Sequence, residues 1–173
     1  MKLNGPLKHA LLFAVLLALQ VLIFNRMAYA GYISPYVYML FILSLPIDIS
    51  GWLLMLLAFG MGLSVDMFSD SLAMHAFSCT LMAFARPGVI RLISVRSDFD
   101  PGVVPSISAQ GISWIFTYCL LLTGLHHIAL FSIEVFSLAQ PGFLILRILL
   151  STAFSVLFIL AGFFLIDSRD NAR

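Results

Sequence analysis

The sequence predicts an all-α integral membrane protein with six transmembrane helices, because of its composition, its apolar runs and the placement of its basic residues. Of its 173 residues, 62% are hydrophobic and only 10% are charged, and the mean hydropathy is +1.09. A water-soluble domain is about half apolar and about a quarter charged. Too few polar residues remain to cover a water-exposed surface, so lipid is the predicted solvent for most of the chain.

Six apolar runs approach or reach the length of about 20 residues that a membrane-spanning helix needs. They cover about residues 8–24, 33–46, 51–66, 71–92, 111–133 and 143–166. The second and third runs are short, and only "PIDIS" separates them. The first run follows Lys2 and Lys8, as in a signal peptide, but no small-x-small cleavage site follows it. We therefore expect a retained first helix and a single membrane domain over residues 1–173.

The basic residues predict the orientation of the six spans, since cytoplasmic loops are enriched in Lys and Arg. With the N-terminus in the cytoplasm, the cytoplasmic segments hold Lys2, Lys8, Arg86, Arg91, Arg96, Arg169 and Arg173. The outer segments hold Arg26 and Arg147. An even number of spans returns the C-terminus to the cytoplasm. The turn at residues 66–71 then faces outward.

Several classes of function lack their sequence signals. The net charge of +1 offers no basic patch for nucleic acid. Cys79 and Cys119 lie in apolar runs, as packing residues do. No Gly-x-Ser-x-Gly, His-Glu-x-x-His or phosphate-binding loop is present. His126 and His127 are adjacent, so on a helix they diverge, and we interpret them as interfacial residues. We predict no enzyme, no cofactor and no metal.

The stretch "GMGLSVDMFSDSLAMHAF" (60–77) holds two acids in apolar surroundings. Asp70 or Ser71 is suited to cap the fourth helix, because a side-chain oxygen can accept from a free backbone N–H. Asp66 lies near the end of a span and needs donors there. His75 across the hairpin is one possible partner, and the hydroxyls of Ser64, Ser69 and Ser71 are others. A structural hairpin lock and a proton or ligand site both remain open.

The same stretch contains "GLSVDMFSD", which fits the second half of the metal-binding signature of the CDP-alcohol phosphotransferases. The first half of that signature requires an upstream Asp-Gly pair followed by Ala-Arg. The chain has "GWLLMLLAF" there, with no Arg between Arg26 and Arg86. The chain therefore lacks half of the residues that this enzyme class needs to bind its metal, and the class is excluded.

Small residues in the third span favour close helix packing, which drives helix association in lipid. Ala58 and Gly62 form a small-x-x-x-small pair on one helical face. We predict that they admit a close helix neighbour.

The region from "YVYMLFILSLP" through "IDISGWLLMLLAFGMGLSVDMFSDSLAMHAFSCTLMAFARP" resembles the central region of the MreD family of rod shape-determining proteins. That family has a span ending in Leu-Pro, then a Gly-rich span with Gly-x-x-x-Asp-x-x-Ser, then a Leu-Gly-x-x-Ala-like helix opening. The matching residues are Leu45, Pro46, Gly62, Asp66, Ser69, Leu72 and Ala76. Ala73 stands where the family often has Gly, and "ID" follows Pro46 where many members have basic or polar residues.

The resemblance implies a non-enzymatic scaffold subunit of the bacterial cell-wall elongation complex. Its implied partner is an MreC-like membrane protein, and through it MreB filaments, RodA and a class B transpeptidase. The implied fold resembles the six-helix substrate-binding subunit of energy-coupling-factor transporters. We expect the binding surface on the third and fourth helices and their hairpin. The loop 94–110, beside Arg91 and Arg96, is a second candidate, for lipid head groups or the cytoplasmic machinery.

The transporter-like fold supplies an alternative function, the binding of a vitamin-sized molecule in an outward-facing pocket. Such a pocket needs converging polar and aromatic side chains, and the outward loops offer Tyr29, Tyr32, Tyr36 and Glu134. Tyrosines at that depth are also typical of the interfacial belt. An intramembrane enzyme is a third possibility, for which no nucleophile and base can be paired.

Overall fold

A computed structural model describes residues 5–27, 33–94, 99–135 and 141–171 of the chain. Within these ranges the protein is helical and has no β-strand. The helices are α1 (Gly5–Leu22), α2 (Met39–Leu43), α3 (Gly51–Ser69), α4 (Met74–Ile93), α5 (Ile107–Gln110), α6 (Ile112–Val135) and α7 (Pro141–Asn171), with a 3₁₀ turn at Phe24–Arg26. The predicted all-α fold class is confirmed for the described residues.

Five of the described helices are long and apolar enough to cross a membrane. These candidate spans are Leu7–Arg26, Gly51–Ser69, Met74–Ile93, Ile112–Glu134 and Pro141–Ser168. They correspond to the first, third, fourth, fifth and sixth predicted runs. Most of their bounds lie within a few residues of the expected ones, and α7 is longer than expected at its C-terminal end. Long apolar runs were thus sufficient to locate them.

α1, α3 and α6 run toward the end of the bundle that holds the α3–α4 turn, whereas α4 and α7 run away from it, so that two ends of the bundle can be distinguished. α3 packs on α4, α4 also packs on α6, and α6 packs on α7. We call the end with the α3–α4 turn the hairpin end, where Asn25 after α1 donates to Ser69 at 3.0 Å. At the opposite end, Ser108 of α5 donates to Asp167 of α7, with 2.8 Å between the side-chain oxygens. The described N- and C-terminal residues both lie toward that opposite end.

The second predicted span, 33–46, is wrong as a transmembrane helix. Its helical part is only the five-residue α2, and the residues before α2 are not helical. The segment nevertheless runs lengthwise through the bundle. The Ser34 N–H donates to Ser151 of α7, whereas Leu40 packs against Gly162. Eleven helical residues separate these two α7 positions, which corresponds to about 16 Å along the helix.

We call residues 34–46 the threaded segment, because its backbone is held by side chains of the surrounding helices. Gln20 of α1 accepts from the Val37 N–H at 2.9 Å and donates to the Pro35 carbonyl at 3.3 Å. Ser155 of α7 accepts from the Tyr36 N–H at 2.8 Å. Backbone groups buried without partners cost several kcal/mol in lipid, by rough estimate. These polar residues therefore satisfy the backbone of a buried segment that is mostly not helical.

Arg86 closes the other end of the threaded segment, which corrects its predicted role as a cytoplasmic charge. Only 1% of its surface is exposed. Its guanidinium donates to the Pro46 carbonyl at 3.1 Å and to the Leu45 carbonyl. Its Nε also donates to the Tyr118 hydroxyl at 2.5 Å, and that hydroxyl donates to the Leu43 carbonyl at 3.1 Å. Arg86 thus supplies donors to the Leu45 and Pro46 carbonyls, which lie beyond the end of α2 and have no helical partners.

The second candidate surface, the loop 94–110, lies only partly within the described residues, and Arg96 lies outside them. The described part attaches to the bundle at two points. The Ile47 N–H donates to the Val103 carbonyl at 2.8 Å, and the Gly102 N–H donates to Asp48 at 3.1 Å. These bonds fix the loop against the turn that follows Pro46.

Replacement of Arg86 tests the threaded segment. We expect Arg86→Met to lower the free energy of unfolding by about 1–3 kcal/mol, because two carbonyls lose their donors inside the bundle. Arg91→Met on the same helix is the matched control, since Arg91 is exposed and should change stability by less than about 0.5 kcal/mol. Thermal unfolding in detergent, followed by tryptophan fluorescence, measures both. Equal melting temperatures of the two variants would show that Arg86 does not stabilise the threaded segment.

Candidate functional site

Asp66 fixes the turn between α3 and α4 by capping the second of these helices. Its carboxylate is buried and accepts from the backbone N–H groups of His75 at 3.1 Å and Ala76 at 2.8 Å. It also accepts from the Ser71 hydroxyl at 2.5 Å. These are free N–H groups of the first turn of α4, where negative charge is favoured by the helix dipole. One carboxylate thus joins both helices.

The expected cap at Asp70 or Ser71 is wrong, since the N-cap position is Ala73 and no side chain of that residue bonds to the helix. Asp70 instead ends α3 in a left-handed conformation with φ 51°. Ser71 acts through Asp66, and the partner that Asp66 finds in His75 is its backbone rather than its ring. The turn is tighter than a self-capped helix start because Ala73 is also left-handed, at φ 57°.

Gly62 allows α3 and α4 to meet at backbone distance. A Cβ atom at position 62 would lie 2.5 Å from the Ala76 Cα and 2.5 Å from the His75 carbonyl oxygen. These atoms belong to the same first turn of α4 that Asp66 caps. Ala58, one turn earlier, is fully buried in the core. The small residues and the acid therefore act on one contact between the two helices.

The tip of the hairpin carries exposed apolar side chains on a fixed backbone. Leu72 is 93% exposed, Met67 76% and Phe68 63%. Ser69 accepts from Asn25, so the tip is also tied to the end of α1. Pro46, the remaining motif residue, lies at the other end of the bundle, where its carbonyl binds Arg86. The predicted motif residues are thus divided between the two ends.

A cleft of about 430 Å³ opens beside the hairpin tip. Its lining combines acidic, hydroxyl, amide, imidazole, aromatic and aliphatic groups: Phe24, Asn25, Ser34, Tyr36, Phe68, Ser69, Asp70, Ser71, Met74, His75, Leu130 and Glu134. Tyr36 and Glu134 are two of the four outward residues that the sequence offered for a pocket. Tyr29 and Tyr32 lie outside the described residues.

Three histidines and two tyrosines form a buried network below the cleft. The Tyr38 hydroxyl bonds to Nδ1 of His75 at 2.8 Å and to Nε2 of His126 at 2.8 Å. The Tyr36 ring stacks on His127, with ring centroids 5.5 Å apart. The interpretation of His126 and His127 as interfacial residues is wrong, since both are fully buried. The usable signal was their place in an apolar span, where ionisable residues face the bundle interior.

The polar atoms and ring faces of the network are groups that a ligand could contact. The hydroxyl of Tyr38 lies between His75 and His126, so it can donate to only one of them and accepts from the other. Nδ1 of His126 has no partner among the described residues. No group of three His, Cys, Asp or Glu side chains that could hold a metal occurs in the part of the chain that the structure describes. Cys79 and Cys119 are buried free thiols.

Comparisons with family models, with curated proteins and with solved structures gave no match to this chain.

The contact at Gly62 predicts a strong difference between two glycines of one helix. We expect Gly62→Ala to lower the free energy of unfolding by about 1–3 kcal/mol, because the added methyl group meets the backbone of α4. Gly60→Ala is the matched control, since nothing lies within 4 Å of its Cβ position. That change should be neutral or stabilise by about 0.5–1 kcal/mol. Thermal unfolding of both variants in one detergent gives the comparison, and a stable Gly62→Ala variant would refute the contact.

The three donors on Asp66 predict that an amide cannot replace its carboxylate. In Asp66→Asn the NH₂ group would face an N–H or O–H donor, so we expect a loss of about 1–3 kcal/mol of stability. Asp70→Asn is the control, because Asp70 is exposed and Asn tolerates a left-handed conformation. Hydrogen exchange at the N–H groups of His75 and Ala76 reports the cap directly. Unchanged protection in Asp66→Asn would show that Asp66 is not the cap.

Proposed function

We propose that this chain is a non-enzymatic membrane scaffold that binds an MreC-like partner within a bacterial cell-wall elongation complex. The α3–α4 hairpin is the observation that carries the proposal. Its backbone is locked by Asp66 and Gly62, and its tip presents Met67, Phe68 and Leu72 to the outside. A fixed tip binds a partner without first losing conformational entropy.

Some of the residues that match the MreD family support this proposal, because Gly62, Asp66 and Ala76 hold the hairpin together. Gly62 and Ala76 are in contact, and Asp66 bonds to the N–H of Ala76. Ala73 stands where the family often has Gly, and its φ of 57° is a conformation that glycine adopts without strain. The position that departs from the family pattern is therefore one where the backbone favours the family's residue.

The proposed topology has six crossings, with the threaded segment as the second. Among the described residues, Lys8 and Arg91 lie toward the opposite end of the bundle, and Arg26 and Arg147 toward the hairpin end. We assign the opposite end to the cytoplasm of a bacterial inner membrane, because basic residues favour that side, although the fully buried Arg86 no longer counts toward the bias. Both termini are then cytoplasmic. We also propose that the fold resembles the substrate-binding subunit of energy-coupling-factor transporters.

The proposed partner surface lies on α3 and on the hairpin tip. Large apolar side chains are exposed along α3, namely Trp52, Leu56, Phe59, Leu63, Met67 and Phe68. A single-span partner helix would pack along this face within the bilayer and meet Leu72 above it. Through that partner the scaffold would connect MreB filaments on the cytoplasmic side to RodA and a class B transpeptidase.

A second candidate function is the binding of a small molecule, as in a vitamin-binding transporter subunit. The cleft favours it, since it lies at the proposed outer end and is lined by Tyr36, His75 and Glu134. Its volume of about 430 Å³ is within the range of about 300–1,000 Å³ for ligand pockets.

Co-purification in mild detergent tests the scaffold proposal. We expect the tagged chain to recover an MreC-like protein, identified by mass spectrometry, and Leu72→Ser to reduce that recovery about tenfold through the loss of one buried leucine. Leu92→Ser is the control, because Leu92 is equally apolar and 77% exposed but belongs to the other end of α4. Equal recovery with both variants would show that the hairpin tip is not part of the interface. Recovery of a small molecule instead of an MreC-like protein would favour the second candidate function, the binding of a small molecule.

A further inference from the structure

The walls of the cleft carry two carboxylates, of which one is paired with an Arg side chain and the other is not. Asp70 and Glu134 contribute carboxylates, and among the described lining residues there is no Lys or Arg. Asp70 is exposed and makes no ion pair within the described ranges. Phe24, Tyr36 and Phe68 line the same space. Carboxylates and aromatic faces together attract organic cations, through ion pairing and through the negative faces of the rings.

His75 adds an imidazole ring to the wall of the cleft. Its side chain is 6% exposed and lines the cleft. Nδ1 is bonded to Tyr38, whereas Nε2 makes no hydrogen bond to any residue that the structure describes. When Nδ1 carries the proton, Nε2 is an acceptor for an N–H donor in the cleft.

The chain already holds one guanidinium group by this chemistry at the edge of the cleft. Arg147 lies 3.0 Å from the Glu134 carboxylate, and its guanidinium carbon lies 4.2 Å from the centre of the Phe131 ring. Arg147 satisfies Glu134 only in part, because a carboxylate accepts up to about four hydrogen bonds. Asp70 and the rings of Phe24, Tyr36 and Phe68 also bring a carboxylate and aromatic groups to the cleft, with one face of Tyr36 stacked on His127.

We propose that this cleft binds an organic cation, a guanidinium or ammonium group, between Asp70, His75 and the aromatic walls. The cation comes either from a free small molecule or from a basic side chain of the protein that docks on the hairpin tip. The inference supplies the ligand chemistry for the second candidate function. It does not require that the scaffold proposal be correct, although a side-chain source does rest on that proposal.

Binding of n-butylguanidinium to the purified full-length chain tests the proposal, with n-butylurea as the neutral isostere. At a tenfold excess over its Kd, we expect the cation to raise the melting temperature by about 3–6 °C. The urea should have no such effect. Asp70→Asn should weaken binding of the cation at least about fivefold, through loss of a charge-assisted hydrogen bond. Asp100→Asn is the matched control, since Asp100 is an exposed acid near the opposite end.

A second experiment determines the source of the cation. In it, n-butylguanidinium is added to the chain in complex with its co-purified partner. Release of the partner identifies a basic side chain as the occupant, and stabilisation without release identifies a free amine or guanidine. Equal stabilisation by the cation and the urea, or equal binding to Asp70→Asn and the unaltered chain, overturns the proposal. The two outcomes that overturn the proposal are measured on the purified chain alone, so they do not depend on whether an MreC-like partner is recovered.

Discussion

Most of the threaded segment is buried among the helices, and the hydrogen bonds that its backbone needs account for the positions of several buried polar side chains. Outside the short helix α2, the segment has N–H and C=O groups without helical partners, and hydrocarbon could not supply them. Four helices therefore each contribute a polar side chain that bonds to this backbone: Gln20 from α1, Arg86 from α4, Tyr118 from α6 and Ser155 from α7. Burying Arg86 is costly alone, but its donors match the Leu45 and Pro46 carbonyls at the end of the threaded segment. The helix arrangement follows from these bonds.

Asp66 obeys the same constraint at the hairpin. The first turn of α4 has free N–H groups, and Gly62 lets α3 approach so closely that water is excluded from them. The acid must then come from α3 itself. So short a turn between α3 and α4 requires two residues, Asp70 and Ala73, to adopt the left-handed conformation, which is unfavourable for non-glycine residues. A turn with this geometry holds its tip in one position, as a docking surface requires.

Hydropathy predicted the long helices well, because a membrane-length run of apolar residues has few other stable structures. It could not predict the threaded segment, since "YMLFILSLP" is as apolar as a true spanning helix. Its conformation depends on distant partners such as Ser155 and Arg86. Asp66 was recognised as needing donors, but spacing alone suggested self-capping by Asp70. The buried positions of His126 and His127 depend on Tyr36 and Tyr38, which only the folded segment brings to them.

The cleft and the hairpin tip are built from the same residues, which has a thermodynamic consequence. Ser69, Asp70 and Met74 line the cleft, and they lie on either side of Leu72 in the tip. His75 lines the cleft as well, and its N–H is capped by Asp66. A ligand that contacts His75 therefore acts on the first turn of the helix that positions the tip. If occupation of the cleft changes the affinity of the tip for a partner, the partner must change the affinity of the cleft by the same factor.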